Sequence, residues 1–461
     1  MEHPVPATRT RFVVLAFLGT LVFVLYLDRV CISRAALDIQ EEFQLSDTEI
    51  GLVFGAFTIA YGLFEVPTGR WGDRFGSRGV LTRIVLWWSA FTALTGCVPA
   101  FRYGSGFQIS LGGWSAAIPP LVSSFGLLML IRFLFGAGEA GALPNTARVV
   151  ARWIPSHERG WAQGAVLTCM QIGGLTAPVV ATYLIKSLGW RWSFAVFGST
   201  GVVWGALFYW WYRDDPEQHP SVNSAERELI ASGCAHGPAG HDHPPIPWKM
   251  VLSSRNVWLL GLIMTASASA SYMYMSWFPS YLVKARAVSS DYSGWLTSFV
   301  LGGGAIGSFC GGPLGSLVVH WTGEGRWSRR LLGATLLAGA GLLLGSSISC
   351  DTPEVACACA AAAAFCGHAQ ISNWWAATMS ISGNHLGAMF GLLNSMGVPG
   401  AFGSQVFLGM YVDSRKAAGF LGRDQWDPAF FFYAGVLLFG AACWLLVDPT
   451  KSAVEESPPA S

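Results

Sequence analysis

The stretch RFLFGAGEAG, Arg132 to Gly141, places an arginine and, seven residues on, a glutamate inside an otherwise apolar run. Seven residues are two helical turns. Both side chains therefore leave nearly the same helix face, about 10 Å apart along the axis. A charge near the centre of a bilayer costs roughly 2.5–3.5 kcal/mol even on the lenient insertion scale, so residues of this kind are seldom idle.

The surrounding chain has the composition of a membrane protein. Of 461 residues, 52% are hydrophobic and only 12% charged, about half the charged fraction of a soluble domain. The net charge of +1 gives no footing for nucleic acid. MEHPVPATRTRF runs straight into a full-length apolar span, so no cleavable leader is expected. Most of the ten cysteines lie in or beside apolar runs and are read as small hydrophobes. Cys350 and Cys357 are the only candidate pair. The segment HGPAGHDHPP, with His241 and His243, reads as a flexible linker rather than a metal site. No metal or cofactor is expected.

Twelve spans can be drawn: 12–37, 48–70, 80–98, 119–148, 160–186, 192–212, 256–284, 291–320, 330–349, 355–382, 386–414 and 428–447. The expected organisation is a six-helix bundle over 1–212, a cytoplasmic linker over 213–255, a second bundle over 256–447 and a cytoplasmic tail over 448–461. With the N-terminus inside, seventeen of the 28 lysines and arginines are assigned to the inner face and nine to the outer, leaving Arg29 and Arg132 deep inside spans. Both termini are thus expected in the cytoplasm. The halves echo each other. PTGRWGDRFGSR after span two has a worn counterpart, PLGSLVVHWTGEGR, after span eight, with Val319 where the first copy has Asp73. GGLTAP in span five answers NSMGVPG in span eleven. Parallel six-helix repeats are a transporter architecture, with the site at the midplane between halves.

Depth arguments gather the charges. Asp28 lies sixteen residues into span one, and Arg132 sixteen residues before Arg148 at the inner end of span four. Both lie about 24 Å up at 1.5 Å per residue, so they can meet at one level. Arg29 is turned about 100° from Asp28, and Glu139 lies two turns nearer the cytoplasm. Two acids and two arginines make a neutral set, as a dry cluster requires. Holding the bundle together is a competing role, but a buried pair stabilises poorly compared with apolar packing. A carboxylate in a low-dielectric cavity can carry a proton, and a guanidinium fork grips a carboxylate at two points. The set suits symport of an organic anion with protons.

Gly69-x-x-x-Asp73-Arg74-x-Gly76-x-Arg78 resembles the signature loop of the major facilitator superfamily. YLDR in span one, RFLFGAGEAGALPN in span four and GWRWSF at span six resemble its anion:cation symporter family, which includes bacterial hexuronate and aldonate transporters and the animal sialic acid and vesicular glutamate carriers. The resemblance covers nearly the whole chain. It implies an all-α membrane protein with the major facilitator fold, twelve transmembrane helices in two pseudo-symmetric six-helix bundles. It further implies that Asp28 and Glu139 take part in proton coupling with Arg132 as their partner, and that Arg29 contacts the substrate carboxylate. Tyr26, Tyr61, Gln171 and Asn394 match the family's pocket; Ser372 and Trp375 are further lining candidates. Gly69, Asp73, Arg74, Gly76 and Arg78 form a gating loop, with Asp73 as a latch and the arginines doubling as topology signals. Glu65 stands where many relatives have glutamine and reads as a gate or packing residue; His368 reads as a hydrogen-bonded helix histidine.

The expectation is a monomeric multi-pass protein of the cell membrane, importing a small organic anion such as a hexuronate or aldonate by proton symport. A major facilitator effluxer or anion exchanger is the alternative. No catalytic constellation is visible, so an enzyme is not expected.

Overall fold

The computed structural model of the protein describes residues 6–101, 107–111, 114–118, 122–233, 247–323 and 326–453. The His241 and His243 linker lies outside them, as do the side chains of Asp73 and Arg74 and the environment of Gly69. The first half comprises α1 (Thr10–Phe43), α2 (Asp47–Phe75), α3 (Ser77–Gly96), α4 (Ser124–Glu139), α5 (Ala142–Trp153) and α6 (Arg159–Trp211). Two short helices between the halves follow, α7 (Ser224–Gly233) and α8 (Trp248–Ser253). The second half comprises α9 (Arg255–Ser276), α10 (Phe278–Lys284), α11 (Ser290–Thr322), α12 (Arg326–Ser347), α13 (Pro353–Ser382), α14 (Leu386–Ser395), α15 (Val398–Ala417) and α16 (Arg423–Leu446).

Among the described residues nine helices are long and apolar enough to cross a membrane. One of them, α6, makes two crossings, because Gly189 takes a non-helical conformation with φ of +78° and ψ of 160°. Such a φ is open to glycine at little cost. Helix α3 and the broken pair α14–α15 complete the twelve spans. Three spans expected as single helices are interrupted. Span four stops at Glu139 and restarts at Ala142 through Gly141, whose φ is +86°. Span seven breaks at Trp277 just before Pro279, and span eleven breaks before Pro399. Proline cannot donate to the preceding turn, and glycine tolerates the left-handed bend.

The segment between the third and fourth expected spans contains an antiparallel hairpin of β1 (Phe107–Leu111) and β2 (Trp114–Ile118), with Phe107 opposite Ile118. The candidate pair Cys350 and Cys357 forms no disulfide. Cys350 lies 4.0 Å from Cys359, and every cysteine among the described residues is free.

Small residues let helices close on one another. Gly303, Gly307 and Gly311 follow at four-residue spacing down α11, and a Cβ at each would collide with the backbone oxygen of Ala361, Phe365 or Ala369 on α13. That is the close-packing stripe typical of membrane helices, where apolar burial gives little drive and backbone approach gives contact. The starts of α2 and α11 are capped by side chains. Ser46 and Glu49 form a capping box on α2, and Ser289 accepts from the Tyr292 amide on α11.

The first part of the 213–255 segment is fixed to the first half. Asn223 caps α7, accepting from the Glu226 amide at 2.9 Å. The buried Glu226 then accepts from Thr8 Oγ1 at 2.5 Å, the Thr10 and Arg11 amides at 3.2 and 3.1 Å, and Arg11 Nη1 at 3.3 Å. A carboxylate at the first turn of α1 satisfies amides that have no helical partner.

The halves meet through α2 against α15 and α6 against α11. They are tied together at the end remote from Thr10 and Leu446. There Lys284 binds Asp47 Oδ1 at 2.5 Å and Gln40 Oε1 at 2.9 Å. Asp413 of α15 accepts from the Thr48 amide at 2.7 Å and the Asp47 amide at 3.3 Å, capping α2 from the opposite half. Lys186 pairs with Asp291 alongside.

Candidate functional site

The charges expected within the bilayer converge between α1, α2 and α4, where the first half faces α9 and α15. Arg29 donates from Nε to Glu139 Oε1 at 2.9 Å, and Nη2 reaches the same oxygen. The break after Glu139 puts this pair in place. Gly141 sits so close to Thr68 of α2 that a Cβ there would strike the Thr68 side chain, 2.8 Å from its Cβ. Gly136 packs against Phe57 and Ala60, where a Cβ would stand 2.5 Å from the Phe57 oxygen. Gly138 packs onto Trp87. Three close approaches thus seat the end of α4 against α2 and α3.

Arg29 is ringed by aromatic faces. Its guanidinium lies 4.8 Å from the Tyr26 ring centroid, 5.0 Å from Phe57 and 4.9 Å from Tyr61. Such faces compensate a cation without consuming its hydrogen-bond donors. Nη1 makes no hydrogen bond among the described residues, so one edge of the fork remains open to a ligand.

Arg132 sits beside Arg29 on the wall of one cavity, which Ser33, Tyr272, Ser276 and Gln405 also line. Its guanidinium lies 4.4 Å from the Phe135 ring and 5.3 Å from Phe57, and its Nε has no hydrogen-bond partner among the described residues. Asp28 is fully buried, and neither of its carboxylate oxygens has a partner there. It faces Arg132, Glu139 and the Trp88 indole. Asp28 and Arg132 therefore share a level without closing into a direct pair; the closed pair is Arg29 with Glu139. Buried ions without hydrogen bonds are costly. Leaving an acid and an arginine in that state beside a cavity equips the site to take a proton and an anion.

The remaining expected residues divide. Tyr26 and Tyr61 belong to the cluster. Asn394 on α14 faces Glu65 of α2, which faces Arg29 in turn. Gln171 donates to Ser308 Oγ at 3.1 Å, on the seam between α6 and α11. Ser372 packs on α11, its oxygen 2.9 Å from where a Cβ on Gly311 would stand. Trp375 packs on Phe390 with centroids 4.3 Å apart. Neither of these two touches the arginines. His368 Nδ1 donates to the Ala364 carbonyl oxygen at 2.9 Å, the helix contact expected of it.

In the signature loop, the Gly76 φ of +79° turns α2 into α3, and a Cβ there would lie 2.6 Å from the Asp214 carboxylate. Asp214 accepts from the Arg78 amide at 2.9 Å. The Arg78 side chain binds Tyr209 O at 2.6 and 2.8 Å and lies over the Tyr209 ring. Arg78 is thus held within its own half rather than across the gate.

Residues not singled out in the sequence complete the site. Gln405 accepts from Thr58 Oγ1 at 2.7 Å and donates to Ser276 at 2.9 Å, bridging the halves just beside the cavity. Tyr272 lies near Arg29, Tyr26 and Glu65. Only the run ASASASYMYMS, unusually polar for a span, marks α9 as a cavity wall.

Solved structures share this architecture. A bacterial homologue of the human lysosomal transporter Spinster, in an inward-facing and occupied conformation, superposes with a TM-score of 0.75 at 18% identity, covering 96% of this chain and 97% of that one. A D-xylose–proton symporter gives 0.67 at 15% identity, covering 96% and 98%. In sequence, the chain is 29% identical to the probable sulfoacetate transporter of Cupriavidus necator, over 96% of this chain and 94% of that protein. It is 30% identical to a probable galactarate/D-glucarate transporter of Escherichia coli, over 61% and 60%. The family model of the Major Facilitator Superfamily matches residues 18–405. The chain is a multi-pass membrane protein that belongs to the Major Facilitator Superfamily, a family of transporters rather than enzymes.

Proposed function

We propose that the protein imports a small organic anion, a sugar acid of the hexuronate or aldonate kind, together with protons by alternating access. The carrying observation is Arg29, which holds the Glu139 carboxylate, keeps Nη1 unbonded and lines a cavity between the halves. A guanidinium recognises a carboxylate by a planar two-point match. Asp28 and Glu139 provide two acids next to that anchor, and Glu139 can change its bond to Arg29 as the anion arrives. The hydroxyls of Tyr26, Tyr61 and Ser276 and the amides of Gln405 and Asn394 suit a polyhydroxylated chain. Relatives named for sulfoacetate and for galactarate/D-glucarate support an anionic substrate.

In this reading both termini are cytoplasmic, the end closed by Asp47, Lys284 and Asp413 is the outer one, and the protein works as a monomer. Proteoliposomes with an acid-outside gradient should accumulate radiolabelled gluconate or glucuronate, and a protonophore should abolish the accumulation. Uptake driven by a trans anion and indifferent to the proton gradient would replace symport with exchange.

A further inference from the structure

We propose that Gln405, held by Thr58 and Ser276, reads the hydroxyl on the carbon next to the substrate's carboxylate. The unit that the site selects is then an α-hydroxy acid. The inference rests on the organic-anion reading above and deepens it. Arg29 and Gln405 line the same cavity, whose two walls differ in chemistry. The first half contributes both cations, Arg29 and Arg132, whereas Tyr272, Met275, Ser276 and Gln405 of the second half carry no charge. An anion therefore turns its charged end to α1 and α4 and its neutral end to α9 and α15.

Gln405 is pinned at three points on the neutral wall. Its backbone oxygen accepts from Trp277 Nε1 at 3.0 Å. Its side-chain Oε1 accepts from Thr58 Oγ1 at 2.7 Å, and Nε2 donates to Ser276 Oγ at 2.9 Å. The residue is only 3% exposed, so the amide does not swing away into water. A carboxamide has two N–H donors and two acceptor lone pairs. One of each is spent and one of each remains. That is the complement of a hydroxyl, which both donates and accepts. A group already held in place also loses little freedom when it binds.

The narrowness of the cavity selects which hydroxyl is read. Its volume of about 10 Å³ is roughly that of one water. With so little space between the walls, the polar group that follows the carboxylate onto Gln405 is the nearest along the chain. That is the hydroxyl on the adjacent carbon, which aldonates and hexuronates both carry. Thr58 belongs to the first half and Gln405 to the second, so the amide is locked only while the halves are closed over it.

The test is the binding of D-gluconate, 2-deoxy-D-gluconate and 3-deoxy-D-gluconate to the purified full-length protein, measured by isothermal titration. The wild type should bind gluconate about tenfold more tightly than the 2-deoxy acid, which leaves the buried amide short of a partner. Its preference over the 3-deoxy acid should not exceed about threefold. Gln405→Leu should bind gluconate and 2-deoxygluconate equally, whereas a merely structural role would weaken all three acids together and keep their ratio. Thr58→Val, which keeps the amide but removes its anchor, should give an intermediate ratio. Equal binding of gluconate and the 2-deoxy acid by the wild type overturns the proposal and leaves the organic-anion reading standing, whether or not the variants fold. A preference unchanged in Gln405→Leu, or in Thr58→Val should the leucine variant not fold, overturns the assignment to Gln405. Failure of the wild type to bind any of the three acids overturns both readings.

Discussion

Arg29 gives two nitrogens to one oxygen of Glu139, Oε1, while the other oxygen, Oε2, is buried and has no partner among the described residues. A bidentate pair would use both oxygens and hold firmly. This one leaves Glu139 an unbonded oxygen and leaves Arg29 a free edge. The pair is thus left unsaturated, with room for one further hydrogen bond on each partner.

Glu139→Gln keeps an oxygen for Arg29 but removes the titratable charge, and Asp28→Asn does the same beside Arg132. Both variants should lose accumulation against a gradient by at least about tenfold while retaining exchange of anion across the membrane. Uptake of labelled gluconate into proteoliposomes, with and without an imposed acid-outside gradient, measures both quantities. Retained accumulation in both variants would remove these acids from the coupling mechanism.

Arg29→Lys preserves the charge but loses the planar fork and the flat face that lies against Tyr26 and Tyr61. A charged hydrogen bond contributes roughly 1.5–3 kcal/mol, so affinity for the anion should fall about tenfold or more. Isothermal titration of the lysine variant checks this. Unchanged affinity would place the carboxylate elsewhere, with Arg132 the next cation on the same cavity wall.

The span count, the two halves and the depth of the charged residues were legible because they depend on length, apolarity and 1.5 Å per residue. The pairing was not. Depth places Asp28 level with Arg132, and both do face each other, yet the direct bond runs from Arg29 to Glu139. That choice depends on the bend at Gly141 and on Thr68 of another helix, a contact between segments that periodicity does not encode. Gly141 followed by Pro144 carried a local break signal inside what reads as one apolar span. Tyr272 and Gln405 come from the second half, and only docking of the halves brings them to the arginines. The alternation in FQISL carried a strand signal between the third and fourth spans.

Asp413 reaches across the halves to cap α2, and Lys284 binds Asp47 beside it. Asp413→Asn leaves one acceptor for the two amides and removes the charge that favours a helix N-terminus. A loss of about 1.4 kcal/mol changes the ratio of closed to open states tenfold. Cysteines introduced at Ser33 or Ser276 should therefore label faster from the Asp47 side in this variant. Equal labelling rates, with transport also unchanged, would show that the contact does not set the equilibrium.

His219 offers a pH test away from the membrane. It follows the last turn of α6, is only 2% exposed and lies edge-on to Trp153 and Trp211, with centroids 5.7 and 4.5 Å away. Its Nδ1 accepts from the Ser221 amide at 3.2 Å, so the bonded form is the neutral imidazole. Burial is the main cause that pushes its pKa below the usual 6.5, and the Arg213 charge adds to it; the Trp211 backbone and Glu226 oppose. Above pH 6.5 both the docked and the detached segment hold a neutral ring, and docking is at full strength. As the pH falls below 6.5 the detached form binds the proton first, so docking weakens until the pH passes the lowered folded value. Residues 213–231, anchored through Glu226, should then show faster amide exchange at pH 5.5 than at pH 8 after correction for intrinsic rates. His219→Asn retains an acceptor for Ser221 but does not titrate. Its protection should be lower than the wild type's at pH 8 and should not change with pH; a variant that still loosens in acid would assign the effect to another group.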